Sequence, residues 1–408
     1  MSDATSNHQA DKGIRRRSFL AATGLSAAGV FAGCLGDGDD DVITIGAIQP
    51  FSGNFAPWGL AHSAGLNFAI DEVNENGGVL GMEVNLVESD TQSEPSEADT
   101  IFRQQVEERD AVAITGAVSS DVGVATRETA EDLMVPNILH MAGSPGVIDR
   151  DTRYVFRVGS HSNVTDGLAI SGLIEERGYS SVAAIHAAYE WGRSFEAALA
   201  DLIPDDVNLV EAEASVGESD FTPFLSEFPD DIELIIATGH PPGSVAIHSQ
   251  AIELGFDHDF TTGAGVPPGA LYGGLGENSA TFAHQHVADP FSDDFIDVAS
   301  RYAEQTGDRF DTHEAYGYVA GQIITDSIEA AGSTDPIDIA DAIRENTHDT
   351  LLANPIEYAE WGEVDNLIHM LSTFEFEEPP YFEGGEWRLE NEFRSDPLDA
   401  FDPGEWDF

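Results

Sequence analysis

Short β-like runs alternate with helical runs along most of this 408-residue chain, and this alternation restricts the fold more than any other feature. Apolar, β-branched runs such as Val42–Gln49 and Ser181–Ala187 are followed by segments with helical periodicity, such as 59–76 and 192–202. Strands that alternate with helices of this length form parallel sheets with helices on both faces. The sequence therefore predicts an α/β fold.

The chain is long enough for two domains of ordinary size, and its predicted strands are too many for one open sheet. Breaks rich in proline and glycine near residues 159 and 288 favour two lobes over a single eight-stranded barrel. We therefore expect two doubly wound, Rossmann-like lobes with a ligand cleft between them. The predicted strands are Val42–Gln49, 82–88, 111–118, 137–141, Ser181–Ala187, 207–214, Leu234–Thr238, 260–263 and 281–287, and the predicted helices are 59–76, 94–108, 122–133, 166–177, 192–202, 221–228, 244–254, 294–306, 313–331 and 337–345.

The last part of the chain has a different character. After the three final helical segments, residues 356–376 alternate like a hairpin with a turn at 361–365. From residue 377 the sequence is acidic, aromatic and rich in proline and glycine, with no clear period. We expect residues 376–408 to form an irregular acidic tail that packs on the surface or is partly disordered.

The first 34 residues have the order of a twin-arginine export signal. Arg16 and Arg17 lie in a basic start, which is followed by a weakly apolar segment at 20–31 and then by small residues before Cys34. The alternative is a chance basic head on a disordered arm. Because the basic start, the apolar run and the cysteine occur in the order and spacing of such a signal, we expect residues 1–33 to be a signal peptide.

The only cysteine of the chain, Cys34, ends a sequence similar to a lipobox. Residues 31–34 read Phe-Ala-Gly-Cys, with Phe31 where leucine is usual. Residues 36–41 are all glycine or aspartate, which make a flexible charged linker. We expect lipid on Cys34, a tether over 34–41, and a protein anchored on the extracellular face of the cell membrane.

The chain is extremely acidic, with 75 Asp and Glu against 17 Lys and Arg, and its single lysine is Lys12. Such a surface repels nucleic acid, so we expect no nucleic-acid partner. It either attracts cations and basic partners or keeps the protein soluble in very high salt, where charges are screened within about 3 Å at 1 M. Since the acidic residues are spread along the whole chain, the pattern favours salt adaptation of the kind found in extreme halophiles.

Several short motifs follow one another between residue 42 and about 330. They lie at 45–53, 58–59, 70–81, 90–91, 114–121, 135–136, 142–145, 154–157, 190–192, 239–241 and 315–316. Each motif is weak alone, and the ordered set is specific. Together they resemble the substrate-binding proteins of branched-chain amino acid ABC transporters, which are type I periplasmic binding proteins, here as a haloarchaeal-type lipoprotein.

The resemblance implies a non-enzymatic protein that closes around a small solute and passes it to ABC permease subunits. The family chain crosses between its lobes three times. One lobe would therefore combine 42–158 with about 288–350, and the other 159–287 with about 351–375. A receptor lipoprotein that presents its ligand to a transmembrane chemotaxis or signal transducer would have the same fold and cleft, so this alternative stays open.

A pair of serines is the first candidate for ligand binding. Ser119 and Ser120 lie between a predicted strand and a helix that begins near Val122, where free N–H groups and the helix dipole favour a carboxylate. In the family this pair, together with the loop that matches Ala142 and Ser144, holds the ligand carboxylate. The structural alternatives are a helix cap for the serine pair and a turn for Ser144.

The resemblance also implies ligand contacts from Trp58, Trp191, His240 and Tyr316. Trp191 supports this role independently, because it follows the predicted strand Ser181–Ala187 at its carboxyl end, where open α/β sheets bind ligands. The alternative role of such aromatic residues is packing between the lobes.

One departure from the family concerns the ligand's ammonium group. The family places an acid in the loop where this chain has Ala264, and no acid occurs anywhere in 261–276. A buried ammonium group without a charged partner is costly. Either another acid such as Glu190 supplies the charge, or the ligand is not an α-amino acid.

Other chemistry is sparse. His284 and His286 would lie on one face of a strand and resemble half of a metal site, but no third ligand is near in sequence, so a chance pair is the better interpretation. The chain has no phosphate-binding loop, dinucleotide fingerprint or nucleophile elbow. We expect no metal, no cofactor and no catalytic residue.

Overall fold

The computed structural model describes residues 42–159, 162–239 and 243–406. The expectations for the export signal with its two arginines, for Cys34 and for His240 concern residues outside these ranges. Among the described residues no helix combines the length and the apolar character that a membrane span requires.

A five-stranded parallel sheet forms first along the chain, in the order β2-β1-β3-β4-β5. Its core is apolar because most β1 and β3 side chains are buried on both faces, as expected of a covered parallel sheet. Its strands are β1 (Val42–Gln49), β2 (Glu83–Asp90), β3 (Ala111–Gly116), β4 (Asn137–Leu139) and β5 (Val155–Arg157), and the helices between them are α1 (Ala56–Glu75), α2 (Pro95–Arg109) and α3 (Ser120–Leu133).

A seven-stranded sheet follows, in the order β14-β13-β10-β9-β8-β6-β7. Its five consecutive strands are parallel, and two antiparallel strands from the end of the chain complete one edge. The strands are β6 (Ser181–Ala187), β7 (Asn208–Ala214), β8 (Leu234–Thr238), β9 (Asp259–Thr261), β10 (Phe282–His286), β13 (Met370–Glu375) and β14 (Arg388–Arg394), and the helices are α4 (Asn163–Arg177), α5 (Glu190–Leu202), α6 (Thr222–Leu225), α7 (Gly243–Leu254) and α8 (Pro268–Leu275). Two sheets of this kind confirm the predicted two-lobed α/β fold.

Three helices and a small hairpin separate β10 from β13. The helices are α9 (Asp293–Thr306), α10 (Thr312–Ala331) and α11 (Pro336–Glu345), and the hairpin pairs β11 (Glu357–Tyr358) with β12 (Val364–Asp365). The predicted hairpin over 356–376 was therefore too long. Its alternation covers this small hairpin and also β13, which pairs with β10 and β14 instead.

The end of the chain also differs from the expected irregular tail over 376–408. It contains β14, in which Leu389 and Phe393 are buried between charged neighbours. Trp387 and Phe401 are buried as well. The apolar residues that pack are widely spaced within an acidic sequence. The charged residues between them therefore hide the alternation that would have predicted a strand.

Six buried histidines lie between the elements of the two sheets. Five of them form a series of ring contacts, with centroid distances of 4.7 Å from His140 to His62, 5.6 Å from His62 to His313, 6.0 Å from His313 to His284 and 5.2 Å from His284 to His286. Burial lowers the pKa of His140 and His313 to about 3 and of His286 to about 4. The six are His62, His140, His284, His286, His313 and His369.

The expected chance pair of His284 and His286 belongs to this series. His286 bonds Ser372 Oγ and the Ala288 carbonyl oxygen, each at 2.8 Å, and His284 lies 3.3 Å from Thr312 Oγ1. Within the described part of the chain, no group of three or more His, Cys, Asp or Glu side chains has the arrangement of a metal site. The pair is held by separate hydrogen bonds in the core.

Helix α10 packs closely on α1 because glycines face the neighbouring backbone. A Cβ at Gly317 would clash with the carbonyl oxygen of His62, and a Cβ at Gly65 would clash with that of Glu314. Gly317→Ala should lower the free energy of unfolding by about 1–3 kcal/mol, since the two helices must separate. Denaturant titration in multimolar salt measures the change.

Gly269→Ala in α8 is the matched control, because a Cβ there meets nothing within 4 Å. It should leave stability unchanged or raise it by about 0.5–1 kcal/mol, the ordinary gain of alanine over glycine in a helix. Equal effects of the two substitutions would contradict the close approach of α1 and α10.

The buried histidines also predict acid sensitivity. Below pH 6.5 the unfolded chain takes up protons on these rings and the folded protein does not, so each such ring lowers the free energy of unfolding by about 1.4 kcal/mol per pH unit. Buried acids oppose this loss, since burial raises the pKa of Glu314 to about 8 and also raises the pKa values of Asp166 and Glu363. Because the histidines outnumber these acids, stability should fall from pH 6.5 to pH 5.

His140→Gln tests this assignment, because it keeps a hydrogen-bonding side chain between Gln49 and Thr115 but cannot be protonated. Its unfolding free energy should depend on pH less steeply than that of the wild type, by about 1.4 kcal/mol per unit. Denaturant titrations at pH 7, 6 and 5 measure both slopes. A wild-type stability that is level or rises towards pH 5 would be the opposite of this expectation.

Candidate ligand cleft

Two serine loops meet at the carboxyl ends of β3 and β4. Ser119 precedes α3 and its side chain makes no capping hydrogen bond, so the simple cap role proposed as an alternative does not apply to it. Ser120 Oγ accepts the backbone N–H of Ser144 at 3.0 Å. Ala142 and Ser144 are fully buried beside α3. The structure therefore brings together the four residues that the sequence predicted for a carboxylate site.

Ser144 also connects the elements of the first sheet with those of the second. Its hydroxyl donates to Glu190 Oε1 at 3.0 Å and accepts the Gly146 N–H at 3.2 Å. Glu190 begins α5, and its backbone N–H donates a hydrogen bond to the Asp121 carboxylate of α3. Burial and the Glu190 charge raise the pKa of Asp121, with Arg193 opposing them. The first turns of α3 and α5 are therefore in contact across the cleft.

A row of aromatic rings lines the same region. Trp58 Nε1 donates to the Gly265 carbonyl oxygen at 3.0 Å, which joins α1 to the loop after β9. Ring centroids are 5.9 Å apart between Trp58 and Phe55, 5.7 Å between Phe55 and Tyr189, and 6.4 Å between Tyr189 and Trp191. Tyr189 was not predicted, although it directly precedes the Glu190-Trp191 motif.

Tyr316 lies deeper, where the chain passes between the two sheets. Its hydroxyl oxygen accepts the Val287 N–H at 3.1 Å, and its ring lies so close to Gly159 that a Cβ there would clash. Burial raises its pKa. In this structure Tyr316 packs against two of the connecting segments, which is the packing alternative for an aromatic residue at this position.

The loop where the family acid is missing contains Ala264 and Gly265. Ala264 is buried, and Gly265 lies against the His313 ring. This loop brings a methyl group and a carbonyl oxygen to the cleft and no carboxylate. The carboxylates near the cleft come instead from Glu190, from Asp121 beside it, and from a buried charged group whose members are far apart in sequence.

This buried charged group consists of Arg157, Asp166 and Glu363. Arg157 Nη2 donates to the Ser144 carbonyl oxygen at 2.7 Å, and its Nε lies 3.6 Å from Glu363 Oε2. Burial raises the pKa values of both acids and lowers that of Arg157, and the opposite charges partly offset these shifts. The partners lie far apart in sequence, so only the quoted 154–157 motif pointed towards them.

Comparison with known proteins places this geometry in a family. A family model described as periplasmic binding protein matches residues 42–371. The leucine-, isoleucine-, valine-, threonine- and alanine-binding protein of Pseudomonas aeruginosa is 25% identical over 363 residues, which cover 87% of this chain and 95% of that protein.

Solved structures agree on the fold. The crystal structure of a leucine-binding protein from Thermotoga maritima superposes with a TM-score of 0.73 at 24% identity, covering 87% of this chain and 99% of that one. A solute-binding protein of an ABC transporter from R. palustris, in complex with benzoate, has a TM-score of 0.75 at 18% identity and covers 88% and 98%. The relatives are solute-binding proteins and not enzymes, and this chain likewise belongs to the periplasmic binding protein family, with its two-lobed, type I α/β architecture.

Proposed function

We propose that this protein is the extracytoplasmic substrate-binding lipoprotein of an ABC importer and that it binds a small solute of branched-chain amino acid type, or a related carboxylate or amide, by cleft closure. The observation that carries the proposal is the meeting of both serine loops with Glu190 across the cleft. Family membership over 42–371 supports it. The lobes would be 42–158 with about 288–350, and 159–287 with about 351–375, to which β14 would add a strand because it pairs with β13.

The serine loops have the chemistry that a ligand carboxylate requires. Ser119 and Ser120 stand at the first turn of α3, where unsatisfied N–H groups and the helix dipole favour negative charge. The Ser120 hydroxyl already accepts one hydrogen bond from Ser144, so its own proton is left to donate. Trp58 and Trp191 would flank the aliphatic part of the ligand, since both belong to the aromatic row.

The proposal also includes export of the chain and its anchoring to the membrane, and only the sequence supports these two parts. Arg16 and Arg17 would direct the chain to the twin-arginine route, and lipid on Cys34 would hold it on the extracellular face of the membrane. There it would deliver its ligand to permease subunits after the lobes close around it.

The ligand class follows from two kinds of relative. The Pseudomonas relative is named for five amino acids, whereas the R. palustris structure holds benzoate, a carboxylate without an amino group. The serine loops suit both classes, because both contain a carboxylate. Whether the cleft offers a charge that pairs with an ammonium group therefore decides between amino acids and plain carboxylates, since Ala264 provides no such charge.

A thermal-shift screen in multimolar salt tests the proposed function. We expect leucine, isoleucine or valine at concentrations well above the dissociation constant to raise the melting temperature, since a ligand at about 100 times its Kd adds about 2.7 kcal/mol of stability. Deaminated analogues and amides of the same side chains form the comparison set. No shift with any of these amino acids, carboxylates and amides would contradict the proposal.

Ser120→Ala tests the carboxylate site. It removes a donor to the ligand and leaves the Ser144 N–H without its acceptor, so affinity for a carboxylate ligand should fall about 10-fold or more, as for a lost hydrogen bond to a charged group. Ser226→Ala is the control, because that exposed hydroxyl donates within its own turn, to the Thr222 carbonyl oxygen. Calorimetric titration of both variants gives the comparison, and equal affinities would count against the serine loops.

A further inference from the structure

We propose that Asp166 supplies the negative charge that pairs with an ammonium group of the ligand at the inner end of the cleft. The inference rests on the proposed function, because it requires the solute to lie between the serine loops and the loop of Ala264. It assigns the ligand to the ammonium-bearing class and gives the role of the absent family acid to a different part of the chain.

The first turn of α4, which carries Asp166, is attached to both sides of the cleft. The Asn163 backbone N–H donates to the Gly143 carbonyl oxygen at 2.7 Å, within the loop of Ala142 and Ser144. The Asn163 side-chain amide donates to the Trp191 carbonyl oxygen at 3.2 Å. Residues three apart on a helix lie on one face, so Asp166 follows Asn163 towards the same region.

Asp166 also lies one side chain away from the loop that lacks an acid. Gln285 Nε2 donates to Asp166 Oδ1 at 3.2 Å, and the Gln285 backbone N–H donates to Thr262 Oγ1 at 3.1 Å. Thr262 is two residues before Ala264. Gln285 thus connects the carboxylate to the position where the family places its acid, and the two acids would serve the same part of the cleft from neighbouring elements.

The second carboxylate oxygen of Asp166 points to a missing partner. Asp166 is almost completely buried, and its Oδ2 has no hydrogen-bond partner among the described residues. A buried oxygen of this kind is costly unless a donor occupies the space beside it. An ammonium group offers three donors together with the opposite charge.

The charge balance around Asp166 points to a cation as well. Asp166 and Glu363 face the single guanidinium of Arg157, which lies nearer to Glu363 and also bonds Ser144. His369 lies 3.6 Å from Asp166 Oδ1, but burial lowers its pKa to about 3, so it is neutral. The buried group therefore carries more negative than positive charge when both acids are ionised, and a ligand ammonium would balance it.

Glu190 is the competing acid, and its surroundings differ. It is only partly buried, at the first residue of α5, and its Oε1 accepts the Ser144 hydroxyl. Water therefore reaches Glu190 and stabilises its charge without a ligand. Asp166 lacks such solvation, so it gains more from an ammonium partner.

Two variants and two ligands test the assignment by calorimetry in multimolar salt. Leucine and 4-methylpentanoate share the carboxylate and the side chain, and only leucine has the ammonium group. Asp166→Asn keeps the shape and removes the charge, so leucine should bind about 30-fold or more weakly while 4-methylpentanoate changes by less than about 3-fold. Glu190→Gln tests the competing acid: it should leave the preference for leucine over 4-methylpentanoate unchanged, whatever it does to the affinity for both ligands through Ser144.

Other results would overturn the assignment. It is wrong if Asp166→Asn weakens both ligands equally, if it leaves leucine binding unchanged, or if only Glu190→Gln removes the preference for leucine. It is also wrong if the wild type binds 4-methylpentanoate as tightly as leucine, although the proposed function would survive that result. If the wild type binds none of the screened solutes, the proposed function fails and this inference fails with it.

A measurement on the wild type covers the case in which Asp166→Asn does not fold. Burial raises the pKa of Asp166 well above its usual range, and a neighbouring positive charge opposes that shift, so a bound ammonium group should lower this pKa and release protons in the pH range where the carboxyl titrates. Titrations at a series of pH values, each in two buffers of different ionisation enthalpy, should show proton release with leucine within that range and none with 4-methylpentanoate. Equal proton release with both ligands overturns the assignment.

Discussion

The guanidinium of Arg157 is the group around which the cleft is organised. It ends the last strand of the first sheet, supports the serine loop through the Ser144 carbonyl oxygen, and pairs with Glu363 near the small hairpin. A fully buried charge is tolerated only when its partners stay in place, and removing one partner of such a group costs several kcal/mol. The serine loop, the hairpin and the start of α4 are therefore energetically linked.

The sequence predicted those parts of the fold and the site that depend on local pattern. Strands such as Val42–Gln49 and Ser181–Ala187 were placed correctly because their runs are apolar and end at turn residues. Ser120 and Ser144 were expected in one site and are joined by a hydrogen bond. His240 stays a prediction, since it lies outside the described residues.

The sequence could not predict groupings whose members are far apart along the chain. Arg157 and Glu363 are separated by about 200 residues, and so are Trp58 and Gly265. A charge gives no periodic signal that names its partner, so the buried acid of α4 had no visible role. The last strand was missed for a related reason, because a sequence rich in acids obscures the few apolar residues that pack.

The buried histidines and the acidic surface follow different physical rules. Outside, exposed ion pairs such as Arg301 with Asp297 contribute little each and weaken further in salt. Inside, neutral imidazole rings such as His140 make hydrogen bonds without carrying charge. Salt therefore changes the surface electrostatics and leaves the polar interior largely unaffected.

The late position of β14 affects when the protein can fold. The second sheet gains its outer edge only from Arg388–Arg394, and α1 of the first sheet receives its partner α10 only from Thr312–Ala331. Domains generally fold as their residues leave the ribosome, from the N-terminus onwards. Here the first sheet lacks its helix α10 and the second sheet lacks its edge strand until those segments have been synthesised, so a growing chain would expose apolar faces of both sheets. Translation must therefore pass β14 before this molecule can cover both faces.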